Sequence, residues 1–279
     1  MNNVFNLKRF GKYFTYDLKN AVSNYGISAV TTGLMPLIAL FFSVIFGLLF
    51  HGQTFDFPEA IKIMLFGIAV LIVVLSAPVK LYGRLTERKA GTDWLMIPAS
   101  PFEKFLSMAI MVCLVLPVVV FGLFFLCDIF LGWAVPLYGN SFFLNIKDAF
   151  HTATSNVDIE SVSPVMSTTG GVIASVLFGW CASILPFTLG AVCFKKAKAA
   201  KTILCLIALE MVFSFIAVLF LKGGFANGFA DGTLFLNGFA DMSSEKLQFW
   251  ANFLLNALYL VVVGGLLTGL FFRVKTIKH

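Results

Sequence analysis

The stretch RLTERKAGTDWLMIPASPFEKF, residues 84–105, is the longest charged interruption between two apolar runs of the chain. We refer to it as the elbow segment. Its charged residues are Arg84, Glu87, Arg88, Lys89, Asp93, Glu103 and Lys104. Long apolar runs flank it on both sides. The side that this segment faces therefore fixes the side that each of the other polar segments faces.

The composition excludes a water-soluble protein. Of 279 residues, 59% are hydrophobic and 12% are charged, and the mean hydropathy is +0.93. Soluble domains average about 25% charged residues, so too little polar surface is present here for a water-soluble fold. The chain is therefore predicted to be an all-α membrane protein. The net charge of +6 is explained by where the basic residues lie, so no nucleic acid is expected as a partner.

Six apolar runs are long enough to cross a hydrocarbon core, which takes about 20 helical residues. They are residues 27–50, 60–81, 105–131, 171–194, 202–221 and 249–272. The runs are continuously apolar rather than alternating, which favours helices over the strands of a closed barrel. Residues 27–279 are thus predicted to form a transmembrane domain of six helices.

Residues 1–26 are predicted to form an amphipathic interfacial helix that precedes the first span. Apolar side chains recur there at steps of three and four residues, and most basic residues lie off that stripe. The stripe consists of Leu7, Phe10, Phe14, Leu18, Ala21 and Tyr25. The basic side of such a helix is suited to the headgroups of membrane lipids.

The distribution of basic residues predicts the orientation. Sixteen of the 20 Lys and Arg residues precede the first span, follow the last one, or lie in and beside the second and fourth connections. Basic residues concentrate on the cytoplasmic side. Both termini and the elbow segment are therefore expected in the cytoplasm. On the outer side, residues 222–248 are apolar and rich in glycine, which predicts short re-entrant helices between spans five and six.

The elbow segment carries its own folding signals. Ser100, Pro101 and Glu103 form the pattern of a capped helix start, which predicts that the third span begins directly from the elbow. Gly91 and Pro98 bracket a short apolar piece, WLMI. We expect a compact helical elbow that presents charges and an aromatic residue to the cytoplasm. Such a surface is either a docking site for another protein or an ordinary solvated turn.

These residues resemble the first cytoplasmic loop of type-2 ABC exporter permeases. The resemblance lies in ERKAGT at 87–92, Leu95 and PAS at 98–100. The family shows an acidic residue, a Gly-Thr, a leucine pair and a Pro-x-Ser before the third span. LMIPASPFEKF is also similar to a group of uncharacterised bacterial six-span membrane proteins related to those permeases. The chain departs from the family at Asp93 and Trp94, where another acid and a leucine are usual.

The resemblance implies the fold, the partners and the function. Permeases of this type have an N-terminal interfacial helix, six spans, cytoplasmic termini and re-entrant helices between spans five and six. Their loop is a coupling helix that contacts a separate ATPase subunit, and two permease copies form the pathway. Carried over, the ATPase-coupling residues are Glu87, Arg88, Gly91, Thr92 and Trp94. The implied function is the membrane-spanning subunit of an ATP-driven exporter; the alternative is a non-transporting membrane subunit or scaffold.

The chain carries no pattern typical of an enzyme. It has no G-x-x-x-x-G-K-[ST] nucleotide loop, no H-E-x-x-H or G-x-S-x-G motif, and no paired cysteines, so we expect no catalytic, metal or cofactor site. Glu210 stands out in the fifth apolar run, where a charge is costly. It is interpreted either as a contact for substrate or protons, or as an acid that is neutral or bonded to Asn252 or Asn256 on span six.

Overall fold

The computed structural model describes residues 5–50, 57–87, 91, 94, 96–143, 169–222 and 244–276. Every secondary-structure element in these ranges is helical. The helices are α1 (Leu7–Gly33), α2 (Met35–Phe50), α3 (Glu59–Tyr82), α4 (Pro101–Ile110), α5 (Leu116–Ala134), α6 (Thr169–Cys193), α7 (Lys198–Lys222) and α8 (Ser244–Thr276). A 3₁₀ turn, Gly83–Thr86, follows α3, and a π-helical turn, Met111–Val115, joins α4 to α5.

The outer surface of these helices is apolar. Within the described residues, four continuous helical segments are long and apolar enough to span a membrane, and α1 with α2 makes a fifth if that bent pair is one span. Large apolar side chains are exposed along them, which is unfavourable in water and favourable in lipid. Examples are Phe41, Val118, Leu126 and Val261. The chain is therefore a multi-pass membrane protein.

The six expected spans are matched only in part. The four segments are Glu59–Thr86, Pro101–Ala134, Val176–Cys193 and Asn256–Thr276. The expected fifth span falls in α7, whose side chains are described only as far as Phe215. The re-entrant helices were expected within residues 222–248, and residues 223–243 of that stretch lie outside the described part of the chain. Six spans thus stay a prediction.

The N-terminal helix differs from the sequence expectation in its end and in its packed face. α1 continues without a break past residue 26 to Gly33, and α2 departs from it at an angle of 48°. Leu7 and Leu18, placed on the apolar stripe, are exposed, whereas Tyr13 and Asp17 are buried. The four other stripe residues are buried or half-buried, so the packed face contains most of the stripe together with these two polar residues. Their hydrogen-bond partners lie in the elbow segment, α3 and α4, which the sequence of α1 alone does not reveal.

The π-helical turn between α4 and α5 is explained by Pro117. Proline has no backbone N–H to donate. Leu116 N donates to Met111 O, five residues earlier, so it does not donate to Val112 O as it would in an α-helix. In a π-helical pattern the donor to Val112 O would be the backbone nitrogen of residue 117, which is a proline. The indole Nε1 of Trp180, on α6, donates to Val112 O at 3.2 Å. The buried carbonyl that the proline leaves without a backbone donor is therefore satisfied by a side chain from another helix.

α6 lies at the centre of the bundle, where it packs against α8, α3 and α7. Its junction with α7 is very close at Gly190, where a Cβ atom would collide with Thr202. A second close approach lies between α1 and α5, because a Cβ at Gly33 would come within 2.6 Å of Leu123 Cβ. By contrast, Gly179 on α6 has open space beside it. Glycine thus sets helix spacing at a few positions only.

Contacts between the helices define two ends of the bundle. At one end, the start of α1, the end of α3, the start of α4 and the end of α8 meet; we call it the elbow end. Phe271 of α8, for example, contacts both Phe102 and Phe105. At the opposite end, the fully buried Asp128 accepts hydrogen bonds from Tyr138 Oη at 2.6 Å and from Phe143 N at 3.0 Å. The elbow segment therefore lies beside the start of α1 and the end of α8.

Candidate functional site at the elbow end

The start of α4 is tied to the start of α1 by Glu103. Ser100 Oγ accepts from Glu103 N, and Ser100 N donates to Glu103 Oε2, so the predicted capping box is confirmed. The same carboxylate accepts from Arg9 Nε at 2.8 Å, from Arg9 Nη2 at 2.7 Å and from Asn6 N at 3.0 Å. Glu103 is fully buried, so a charge that is costly alone is compensated by four donors. One carboxylate thus caps α4 and anchors α1.

The middle of the elbow segment is held against α1 by Trp94. Its indole Nε1 donates to Tyr13 Oη at 3.0 Å. Lys104 Nζ donates to the backbone oxygen of Trp94 at 2.8 Å and lies 4.4 Å from the centre of the indole ring. Trp94 and Lys104 are both buried. The aromatic residue that we expected to be presented to solvent faces inward, because Tyr13 and Lys104 together satisfy its polar groups.

A third connection joins α1 to α3 and α4 through Asp17. Its Oδ2 accepts from Ser107 Oγ at 2.7 Å and from Tyr82 Oη at 3.1 Å. All three side chains are buried. Arg9, Tyr13 and Asp17 follow one another at four-residue steps, so one face of α1 carries all three connections to the elbow end.

A groove of about 650 Å³ lies beside these connections, between α1, the end of α3 and the loop before α7. We call it the basic groove. The residues that line it are Asn24, Val79, Lys80, Gly83, Arg84, Glu87, Lys195, Ala197, Lys198, Ala199 and Ala200. Lys198 Nζ donates to Gly83 O, and this hydrogen bond joins the two walls of the groove. Burial lowers the pKa of Lys198, and the negative charge of Glu87 acts in the opposite direction.

The expected ATPase-coupling residues have different surroundings. Glu87 is exposed in the basic groove, Gly91 is buried and donates its N–H to Glu87 O at 2.9 Å, and Trp94 is buried against α1. Arg88 and Thr92 lie outside the described residues. Beyond Trp94, Met96 is 81% exposed and is the most exposed large apolar side chain of the described elbow residues. Between Arg84 and Ser100, the exposed side chains among the described residues are those of Glu87, Met96 and Pro98.

Glu210 lies in a shallow groove on the exposed face of α7, beside Ile207, Met211 and Phe215. It forms no hydrogen bond or ion pair with any residue in the described ranges. α7 packs against α6 and α3. Asn256 is half-buried on α8, and the side chain of Asn252 lies outside the described part. The alternatives for Glu210, a contact for substrate or protons and an acid that is neutral or bonded to one of these asparagines, stay predictions.

The sequence interpretation missed the face of α1 that anchors the elbow. The signal was present, because Asp17 is the one acidic residue in a basic helix and lies eight residues after Arg9. Their partners Glu103 and Ser107 lie about 90 residues away in the chain, so no local pattern identifies the pairs.

The described residues of the elbow end form buried hydrogen-bond connections and a basic groove. Across the described ranges, no group of three or more His, Cys, Asp and Glu residues is placed to hold a metal ion. No family model, curated protein or solved structure matches the chain.

Proposed function

We propose that the chain is the membrane-spanning permease subunit of an ATP-driven ABC-type exporter in the bacterial inner membrane. It couples to a separate ATPase subunit through the loop 84–104, and a second permease copy completes the pathway. Both termini and the loop lie in the cytoplasm. The proposal starts from the resemblance of residues 87–100 to the coupling loop of type-2 permeases.

The observation that carries the proposal is the attachment of the elbow to α1 and α4. Glu103 binds Arg9, and Trp94 binds Tyr13, so a displacement of the elbow is transmitted to two helices at once. A loop that only reverses the chain direction needs no buried carboxylate and no buried indole. A rigid connection of this kind is what a loop requires when an external subunit supplies the energy.

We propose a revised set of residues for the ATPase contact, based on the burial of the described side chains. Trp94 is buried, so it supports the elbow from inside rather than contacting the partner. Met96 and Glu87 are exposed and offer an apolar and an acidic contact. Exposed methionine is common at adaptable protein-binding surfaces. We assign the ATPase contact to these two side chains, with Arg88 and Thr92 as further candidates from the sequence.

The test is association with an ATPase. The tagged full chain is purified from its native membrane in mild detergent, and bound subunits are identified and assayed for ATP hydrolysis. We expect an ABC-type ATPase that is lost in Met96→Ala and Glu87→Lys. The matched controls are Met211→Ala, on α7, and Glu59→Lys, at the opposite end of the bundle, and both are expected to retain it.

A non-transporting subunit or scaffold is the second candidate. The exposed apolar face of α7, interrupted by Glu210, favours it, because such a face fits another membrane helix as well as a second permease copy. If the purified chain carries other membrane subunits but no ATPase, and Glu87→Lys changes nothing, the exporter proposal fails and the scaffold is favoured.

A further inference from the structure

The basic groove contains more positive charge than its own residues neutralise. Four of its lining residues are cationic, Lys80, Arg84, Lys195 and Lys198, and one is acidic, Glu87. Arg84 and Lys195 are exposed, and neither side chain forms a hydrogen bond or ion pair with a described residue. The Glu87 carboxylate likewise forms no ion pair within the described ranges. The groove therefore presents cations that are available to an external anion.

Three basic residues that are buried or half-buried elsewhere in the described bundle are compensated internally. Arg9 is paired with Glu103 at 2.7 Å. Lys104 donates to Trp94 O, and at the opposite end Lys62 donates to Asn140 O at 2.6 Å. Each of these cations has an acceptor that matches its burial. These cations thus have protein acceptors, whereas the groove gathers four cations around one acid.

Two cations of the groove are held in fixed positions. Lys80 Nζ donates to Ser28 Oγ, and Lys198 Nζ donates to Gly83 O. An ammonium group has three donors, so each lysine keeps donors for a ligand. Fixing the lysines lowers the entropy that a ligand would otherwise lose on ordering them. The volume, about 650 Å³, lies within the roughly 300–1,000 Å³ of small-molecule sites.

The position of the groove indicates the source of the anion. The apolar run 60–81 forms most of α3, and the apolar run 171–194 forms most of α6. The groove lies where both runs end. This is the level of the lipid headgroups. Val79 and Ala200, small apolar residues of its wall, face the same space. Basic pockets between membrane helices at this level bind anionic headgroups.

We propose that the basic groove binds the phosphate of an anionic phospholipid headgroup, with Arg84 and Lys195 as its principal ligands and Lys80 and Lys198 as fixed supporting cations. The proposal does not depend on an ATPase partner or on transport. A bound lipid would join α1, α3 and α7 at the elbow end, and it would reduce the repulsion between the gathered cations.

The experiment measures lipid binding to the purified full chain in neutral detergent. Fluorescent phosphatidylglycerol is the probe, phosphatidylcholine is the neutral comparison, and inorganic phosphate is added in a separate arm. Each Lys or Arg near a headgroup contributes about a fivefold change in affinity. We therefore expect Arg84→Gln with Lys195→Gln to weaken phosphatidylglycerol binding by about 25-fold, and Glu87→Gln to strengthen it several-fold because a repelling charge is removed.

The control pair is Lys12→Gln with Lys196→Gln, which removes the same charge from exposed residues that do not line the groove. It is expected to leave binding within twofold. Arg84→Lys, which keeps the charge, is expected to retain most of the affinity. The strengthening in Glu87→Gln protects the test against misfolding, since a damaged variant does not gain affinity.

Three outcomes overturn the proposal. Equal retention of phosphatidylglycerol and phosphatidylcholine shows that the groove does not recognise the anion. Equal losses in the groove pair and the control pair show general surface attraction. Inorganic phosphate that binds within tenfold of the lipid affinity assigns the groove to a soluble phosphate instead of a lipid.

Discussion

Arg9 and Glu103 form a two-point ion pair in which Arg9 Nε and Nη2 each donate to a different carboxylate oxygen, at 2.8 Å and 2.7 Å. The two residues lie in different helices, and Glu103 also closes the capping box with Ser100. The beginning of α1 and the beginning of α4 are therefore positioned by one carboxylate. This arrangement and three others at the elbow end and in the bundle core lead to predictions that can be measured.

Arg9→Gln is expected to lower the midpoint of thermal unfolding of the detergent-solubilised chain, because the buried Glu103 carboxylate loses two charged donors. Glu103→Ala is expected to lower it further, since the cap of α4 is lost as well. In the double variant the loss should equal that of Glu103→Ala alone. Lys8→Gln, an exposed neighbour, is the control. Additive losses would show that the two side chains do not act as a pair.

Trp94→Phe is expected to reduce the free energy of unfolding by about 1–3 kcal/mol, because the buried Tyr13 hydroxyl loses the donor that now reaches it at 3.0 Å. Tyr13→Phe removes the other partner. Combining the two should cost less than the sum of the single losses, by about 1 kcal/mol. The measurement is denaturant unfolding of all four members of the cycle; a coupling of zero would contradict the contact.

Trp180→Phe is expected to destabilise the junction of α4 and α5 by about 1–3 kcal/mol, because Val112 O is buried and has no backbone donor. Pro117→Ala restores an N–H at that position. In the Pro117→Ala background, the cost of Trp180→Phe should therefore be clearly smaller. The same cost in both backgrounds would mean that the proline is not the reason for the unpaired carbonyl.

Gly190→Ala is expected to cost about 1–3 kcal/mol, because its new Cβ would collide with Thr202 and force α6 and α7 apart. Adding Thr202→Ala is expected to relieve part of this loss, because it removes the Oγ1 atom that comes closest to the new Cβ. Gly179→Ala, on the same helix with open space beside it, should be neutral or slightly stabilising. The measurement is the midpoint of thermal unfolding of each variant. Equal shifts for Gly179→Ala and Gly190→Ala would refute the close approach.

Local patterns predicted the parts of the fold that depend on neighbours in the chain. The capping box at Ser100 and Glu103 requires residues three apart, and it is present. Long apolar runs predicted helices suited to a membrane, and the described helices have that character. The continuation of α1 to Gly33 was not predicted, because the interfacial helix was expected to end at residue 26, just before the first apolar run begins. Gly26 does not interrupt the helix.

The candidate site was predicted less completely than the fold. Exposure of Trp94 was inferred from its place in a charged segment, and it is buried because Tyr13 and Lys104, from other elements, satisfy it. Glu103 was assigned a local capping role, and its second role depends on Arg9, 94 residues away. Met96, which follows a buried tryptophan by two residues, acquires its exposure only once Trp94 has turned inward.

By itself, the order of amino acids determined that this protein belongs in a membrane, that it is helical, and where α4 begins, since hydrophobicity and capping act over a few neighbouring residues. Only the tertiary structure decided which charges are paired and which stay available. Arg9 and Arg84 are both arginines beside apolar runs. One meets a buried carboxylate from another helix and the other faces an open groove, because long-range packing chooses the partners of side chains that look equivalent along the chain.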